Sequence, residues 1–228
     1  MITLAISKGR MQDDALALLA AAGVTINPAA LATRRLAVED ESGSYRVVFV
    51  KPADVPVYVE HGIADCGFVG RDVLMESAAD LLLPLDLGIS RCRLVVASTK
   101  VDALESGMGM LRVATKYVKV AASYFGDRGI PVEIIPLSGS VELAPALGLA
   151  DVIVDLVETG RTLKENGLLV LEEVAESTGY LVVNRASYQL KTQAVSQLIA
   201  ALSGEVIHRL RRVAKPQPGG VGVSTTTR

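Results

Sequence analysis

Short apolar runs alternate with amphipathic stretches along most of the chain, and no other feature restricts its fold as much. "ITLAIS" (Ile2–Ser7) reads as a strand, and "GRMQDDALALLAAAG" after it as an amphipathic helix closed by Gly23. "YRVVFVK" (Tyr45–Lys51) is a strand again, followed by the helix "DVPVYVEHG", which tolerates Pro56 in its first turn, and the strand "ADCGFVG". A second series runs through the strands "CRLVVAST" and "LRVATK", the helix "VKVAASYFGDRG", the strand "VEIIPL" and the helix "VELAPALG". Strands and helices in alternation specify an α/β fold whose sheets are largely parallel.

A late strand, "TGYLVVNRASY", and a helical period from Ser187 to Val213 return the chain to its first unit. Two lobes are therefore expected: lobe I from 1–91 plus 180–213, and lobe II from 92–179. The chain crosses between them near Ser90–Arg93 and Ser177–Tyr180. The closing "KPQPGGVGVSTTTR" is rich in Pro, Gly and Thr without an apolar period, so 214–228 is expected to be a disordered tail.

Charge excludes some functions. A formal net charge of -2, a pI near 5.8 and dispersed Lys and Arg leave no footprint for nucleic acid. No apolar run approaches the roughly 18 to 20 residues that span a bilayer, and "MITLAISKGR" lacks the layout of an export signal, so the cytoplasm is the expected compartment. Cys66 and Cys92 stand apart without metal-site spacing and are expected to be free, buried thiols. His61 and His208 read as ordinary helix residues, and no nucleophile elbow or Cys-His pairing is present.

The chemistry concentrates in "DVIVDLVETGRTLKENG" (Asp151–Gly167). Val152, Ile153, Val154 and Leu156 around Asp155 read as a nearly buried parallel strand, and "TLKEN" as the first turns of a helix. A strand-to-helix turn containing Thr159, Gly160 and Thr162 offers amides and hydroxyls at a helix N-terminus, a cradle for phosphate. Asp155 and Glu158 would repel a bare anion, but they suit a ligand that also carries a vicinal diol, such as a sugar phosphate. The same letters equally describe an N-cap, a tight turn and acids that complement a helix dipole, and the loop alone does not choose.

Other candidates lie at strand ends. Lys8, Gly9 and Arg10 leave the C-terminal end of the first strand, where α/β sheets bind ligands, and Gly9 lets the backbone approach one. "TRRL" offers Arg34 as a second clamp from a loop. Glu142 opens the helix before Asp155 and is a candidate contact for ribose or adenine, or a helix-dipole partner. Gly67 and Gly70 fit either a substrate passing the backbone or a tightly packed strand.

The acid-x-x-acid-Thr-Gly-x-Thr segment resembles the phosphoribosyl pyrophosphate loop of phosphoribosyltransferases. The longer run "GSVELAPALGLADVIVDLVETGRTLKENGL" resembles the signature of the ATP phosphoribosyltransferase family of histidine biosynthesis. "LAISKGR", "DVPVYVEHGIADCGFVGRDVL", "RVATKYVKVAASYF" and "YLVVNRASY" are similar to the same family, in order and over nearly the whole chain ahead of the tail. The commoner phosphoribosyltransferase pattern places two adjacent acids before the loop. Here Val154 takes the first position and Asp155 keeps the second, leaving Glu158 to supply the other carboxylate.

The resemblance implies a two-lobed α/β fold with mostly parallel or mixed sheets, similar to type II periplasmic binding proteins, with the active site between the lobes. It implies joining of adenine N1 of ATP to the anomeric carbon of phosphoribosyl pyrophosphate with loss of pyrophosphate. Arg10 and Arg34 are the expected catalytic clamps. Lys8, Gly9, Glu142, Asp155, Glu158, Thr159, Gly160, Arg161 and Thr162 are the expected substrate contacts. Mg2+ is expected on substrate oxygens rather than in a protein cage. The chain resembles the short form of the family, whose relatives form a hetero-octamer with a histidyl-tRNA-synthetase-like regulatory subunit; alone, a homodimer is expected. The competing reading is a non-catalytic two-lobed small-molecule binding module, with a different sugar-phosphate transferase behind it.

Overall fold

A computed structural model describes residues 1–33, 35–105 and 109–213. The first series comprises β1 (Ile2–Ser7), α1 (Arg10–Ala21), α2 (Pro28–Leu31), β2 (Ala37–Glu39), β3 (Tyr45–Val50), α3 (Asp54–Glu60), β4 (Cys66–Gly70), α4 (Arg71–Ser77) and β5 (Leu82–Asp86). The second comprises β6 (Cys92–Ser98), β7 (Leu111–Thr115), α5 (Val118–Gly126), β8 (Val132–Pro136), α6 (Leu143–Ala146), β9 (Val152–Val157), α7 (Arg161–Glu165) and β10 (Leu169–Ser177). β11 (Gly179–Val183), α8 (Arg185–Leu190) and α9 (Thr192–Val213) follow. Among the described residues the strands form two sheets, of order β2-β3-β1-β4-β11-β5 and β10-β6-β9-β7-β8.

Each lobe is a sheet covered on both faces. Alternating side chains of one strand serve opposite cores: Leu4 and Ile6 pack with Leu18 and Leu19 of α1 and Leu198 and Leu202 of α9, whereas Ala5 packs with Val55 and Val59 of α3. The second sheet divides likewise, Val152 and Val154 meeting Phe125 of α5 while Ile153 meets Ala144 and Leu163. Helical crossovers keep β1 parallel to β3 and β4, and β7 parallel to β8 and β9.

The sheets are more mixed than an alternating sequence implies. β9 is parallel to β7 but antiparallel to β6, β10 runs antiparallel to β6, and β11 enters the first sheet antiparallel between β4 and β5. The strands that carry the chain into the second sheet and back into the first, β6 and β11, are the ones that run against both their neighbours. Two register shifts in β10, between Val170/Glu172 and Glu173/Ala175, break the alternation that would have revealed that strand.

The strand expected over Thr178–Tyr188 ends at Val183. Asn184 there turns the chain by accepting from the Ser187 amide at 2.8 Å, which caps α8. Lys191, at φ -120, then separates α8 from α9.

The chain passes between sheets after Asp86 and again at Thr178, and the two crossings bind each other. The Leu87 amide donates to Gly179 O at 2.8 Å, and the Gly179 amide donates to Ile89 O at 2.9 Å. A Cβ at Gly179 would lie 2.8 Å from Ile89 Cγ1, so the close approach requires glycine.

Candidate active site

The space between the lobes contains two adjoining cavities. The larger, of about 540 Å3, is lined by Lys8, Lys51, Asp72, Lys116, Tyr117 and Ser138 among others. The smaller, of about 230 Å3, is formed by Glu142 and the loop Glu158–Thr162. Arg10 and Leu156 line both.

β1 delivers its cations to this space. After Ser7 the Lys8 amide still pairs with Val50 O at 2.8 Å, and Gly9 then adopts φ 94, ψ -144 as it leads into α1. A Cβ at Gly9 would meet nothing within 4 Å, so glycine is required there by its backbone angles rather than by protein crowding. Arg10 Nη1 donates to Glu158 Oε2 across the cleft at 2.9 Å, and Nη2 donates to Cys92 Sγ at 3.3 Å. Burial works against the Arg10 charge, but the Glu158 and Cys92 contacts outweigh it and raise the guanidinium pKa.

β9 delivers the acids. Burial pushes the Asp155 carboxyl above its ordinary range; Lys116, at 3.8 Å, and the Leu156 amide oppose that shift, and Glu142 adds to it. Gly160 takes the left-handed conformation at φ 75, ψ 2, and the Thr159 hydroxyl accepts from the Arg161 amide at 3.4 Å. α7 spans only five residues, so turn amides and hydroxyls, rather than a long helix dipole, make up the anion-binding character of this loop. Arg161 lines the smaller cavity, but its Nε donates to Glu165 one turn along at 2.8 Å.

The structure thus brings Lys8, Arg10, Glu142, Glu158, Thr159, Gly160, Arg161 and Thr162 to one cleft; Gly9 links two of these residues without lining either cavity, and Asp155 sits behind the lining, reaching it through Lys116 at 3.8 Å. Arg34 lies outside the described residues, as does the segment 214–228. Cys66 and Cys92 are free and buried, and burial pushes the Cys66 thiol up to about 12. The two glycines of β4 part ways. Gly67 is packed against α3, where a Cβ would meet Val55 Cγ1 at 2.7 Å, whereas Gly70 lines the cleft beside the Asp72 carboxylate.

Sequence reasoning passed over Lys51, Lys116, Asp72 and Tyr117. Lys51 and Lys116 directly follow β3 and β7, so the strand-end rule that singled out Lys8 points to them as well. Tyr117 donates its hydroxyl to Asp72 at 2.8 Å from the other lobe, a pairing without a local sequence signal. Burial, with the Asp72 charge next, raises the Tyr117 pKa and keeps the phenol a donor.

Comparison with known proteins gives one consistent answer. The family profile described as HisG: ATP phosphoribosyltransferase matches residues 51–204. A relative from Geobacillus sp. (strain WCH70), named ATP phosphoribosyltransferase, is 50% identical over 207 residues, covering 91% of this chain and 99% of its own length. One of the same name from Sorangium cellulosum (strain So ce56) is 48% identical, covering 88% of this chain and 94% of its own. Among solved structures, a chain of the ATP phosphoribosyl transferase (HisG:HisZ) complex from Thermotoga maritima has 38% identity and a TM-score of 0.77, over 91% of this chain and all of that one. The periplasmic aliphatic sulphonate binding protein SsuA from Escherichia coli shares the fold alone, at 14% identity and a TM-score of 0.56 over 93% of this chain and 75% of its own.

Proposed function

The chain belongs to the ATP phosphoribosyltransferase family, and from that premise we propose that the two adjoining cavities, which meet at Arg10, form its active site. Its activity is the first step of histidine biosynthesis. Adenine N1 of ATP attacks the anomeric carbon of phosphoribosyl pyrophosphate, forming the N–C bond as the C–O bond to pyrophosphate breaks and giving N1-(5-phosphoribosyl)-ATP. The observation that carries the site assignment is the meeting of a cationic cavity (Lys8, Lys51, Lys116) with an amide-and-hydroxyl loop at a shared arginine.

Adenine N1 already has a free lone pair, so the attack needs no strong base. The protein's work is to orient two polyanions and stabilise the leaving charge. In this reading Thr159, Gly160, Arg161 and Thr162 hold the 5-phosphate, while Asp155 and Glu158 accept from the ribose hydroxyls. Arg10 leaves Glu158 to meet the departing pyrophosphate, which its planar fork suits. Arg34 is the second catalytic clamp, Lys8 and Gly9 approach a phosphate chain, and Glu142 contacts ribose or adenine.

Mg2+ fits as a substrate-borne ion. We infer that it is carried mainly by substrate oxygens, with Glu158 lining the smaller cavity and Asp155, 3.8 Å from Lys116, as the carboxylates nearest to them. When bound, the cation shares the negative charge of pyrophosphate.

The lobe boundaries we favour remain 1–91 plus 180–213 and 92–179, supported by the division of strands between the sheets. The matched relatives are covered nearly end to end. By analogy with the HisG:HisZ complex we infer that this chain, too, works with a histidyl-tRNA-synthetase-like regulatory subunit in a hetero-octamer, and that alone it is a homodimer. No described helix is long and apolar enough to cross a membrane; from the family's biosynthetic activity we infer work in the cytoplasm.

The test is an absorbance assay of the purified chain with ATP, phosphoribosyl pyrophosphate and Mg2+, pulled forward by pyrophosphatase. Product that requires both substrates and is insensitive to histidine without the partner is expected. Absence of product, together with no calorimetric binding of either substrate, would return the chain to the binding-module reading.

A further inference from the structure

α5 begins directly after Lys116 and Tyr117, two residues of the larger cavity, yet its N-cap residue makes no side-chain capping bond. The cap comes from the opposite lobe. Glu76, on α4, accepts from the Lys119 amide with both carboxylate oxygens, at 3.1 and 3.0 Å, and from the Val120 amide with Oε2 at 3.2 Å. Lys119 Nζ returns a bond to Ser77 O at 3.4 Å. One turn earlier on α4, buried Asp72 accepts from Tyr117 at 2.8 Å and from the Ser177 hydroxyl at 2.8 Å, where β10 leads into the second crossing.

A carboxylate at the second and third amides of a helix satisfies two orphan donors and meets the positive end of the dipole. Here donor and acceptor belong to different lobes, so the bonds persist only while α4 and α5 keep their relative position. What they hold in place borders the larger cavity: Lys116, three residues before Lys119, lines it and faces Asp155 at 3.8 Å.

We propose that Glu76 is a positioning residue for phosphoribosyl transfer, capping α5 from the other lobe and thereby holding Lys116 and Tyr117 at the substrate cleft. The proposal rests on the assignment of this cleft as the active site. Glu76 also lines the larger cavity, but its capping of α5 requires no contact with substrate, and exchange at the α5 amides reads the cap by itself.

The full chain carrying Glu76→Ala or Glu76→Gln tests it. Glu76→Ala is expected to lower kcat/KM about tenfold, the scale of a lost cap with its charge–dipole attraction, with KM for phosphoribosyl pyrophosphate rising. Glu76→Gln, whose amide oxygen still accepts, should recover to within about threefold of wild type. Hydrogen exchange at the Lys119 and Val120 amides should quicken at least about tenfold in Glu76→Ala and much less in Glu76→Gln. A loss confined to kcat, equal in both variants, would mark a smaller folded fraction and overturn the proposal, as would a Glu76→Ala enzyme within twofold of wild type. Inactive wild-type protein would refute the active-site reading instead, while exchange would still report the cap.

Discussion

Arg10 and Glu158 join the two lobes through a 2.9 Å ion pair, so the arginine we propose for the leaving group is paired with the carboxylate we propose for the ribose. Their side chains are 43% and 53% exposed, and such a pair contributes about 0–1 kcal/mol. A charge-assisted bond that Glu158 accepts from a ribose hydroxyl is worth about 1.5–3 kcal/mol, so losing it outweighs freeing Arg10. Glu158→Gln is therefore expected to weaken phosphoribosyl pyrophosphate binding about five- to thirtyfold in a calorimetric titration. Tighter binding would show that Glu158 only latches Arg10.

Arg10→Ala should separate chemistry from binding. If the guanidinium meets charge that develops as pyrophosphate leaves, kcat falls on the order of a hundredfold while KM changes much less. Arg10→Lys keeps the charge without the fork and should lie between the two. Steady-state kinetics at saturating ATP decide the matter, and an unchanged kcat removes Arg10 from the catalytic step.

Gly67→Ala probes packing rather than chemistry. The added Cβ would sit 2.7 Å from Val55 Cγ1, 2.8 Å from Val59 Cγ2 and 3.2 Å from Val182 Cγ2, all in the core between α3 and the sheet. Overpacking of this kind costs about 1–3 kcal/mol, or a Tm lower by several degrees in a chain of this size. A thermal scan showing no drop would mean that α3 yields to the methyl group, and the glycine would then need another reason.

What the sequence disclosed depended on whether the signal was local. β1, β3, β4, β7 and β9 are apolar runs bounded by turn residues, and their carboxyl ends carry Lys8, Lys51, Lys116 and the Asp155 loop within a few positions. β5 escaped notice because it contains Pro84 and is largely exposed at the sheet edge, and β10 because its bulges spoil the period. The pairings that join the lobes were not legible at all. Arg10 meets Glu158 across 148 positions and Tyr117 meets Asp72 across 45, distances set by how two sheets face each other rather than by any spacing in the chain.

Asp155 should trade stability for binding. Burial raises its folded-state pKa above the ordinary carboxyl value despite Lys116, so the folded protein holds that proton more tightly than the unfolded chain does. The sign follows. Below the unfolded pKa the group is protonated in both states and imposes no penalty; as pH rises through the window between the unfolded and the raised folded pKa, stability is lost, and the loss is complete above it. Asp155→Asn removes a buried charge of similar shape, so its Tm should exceed that of wild type at pH 7, and the gap should shrink as pH approaches 4. The same variant should bind phosphoribosyl pyrophosphate more weakly, because an amide is a poorer acceptor for ribose hydroxyls than a carboxylate. Parallel thermal scans from pH 4 to 8 make the check. A variant less stable than wild type at pH 7 would mean that the Lys116 pairing, at 3.8 Å, outweighs burial and that Asp155 holds the lobe together as well as the substrate.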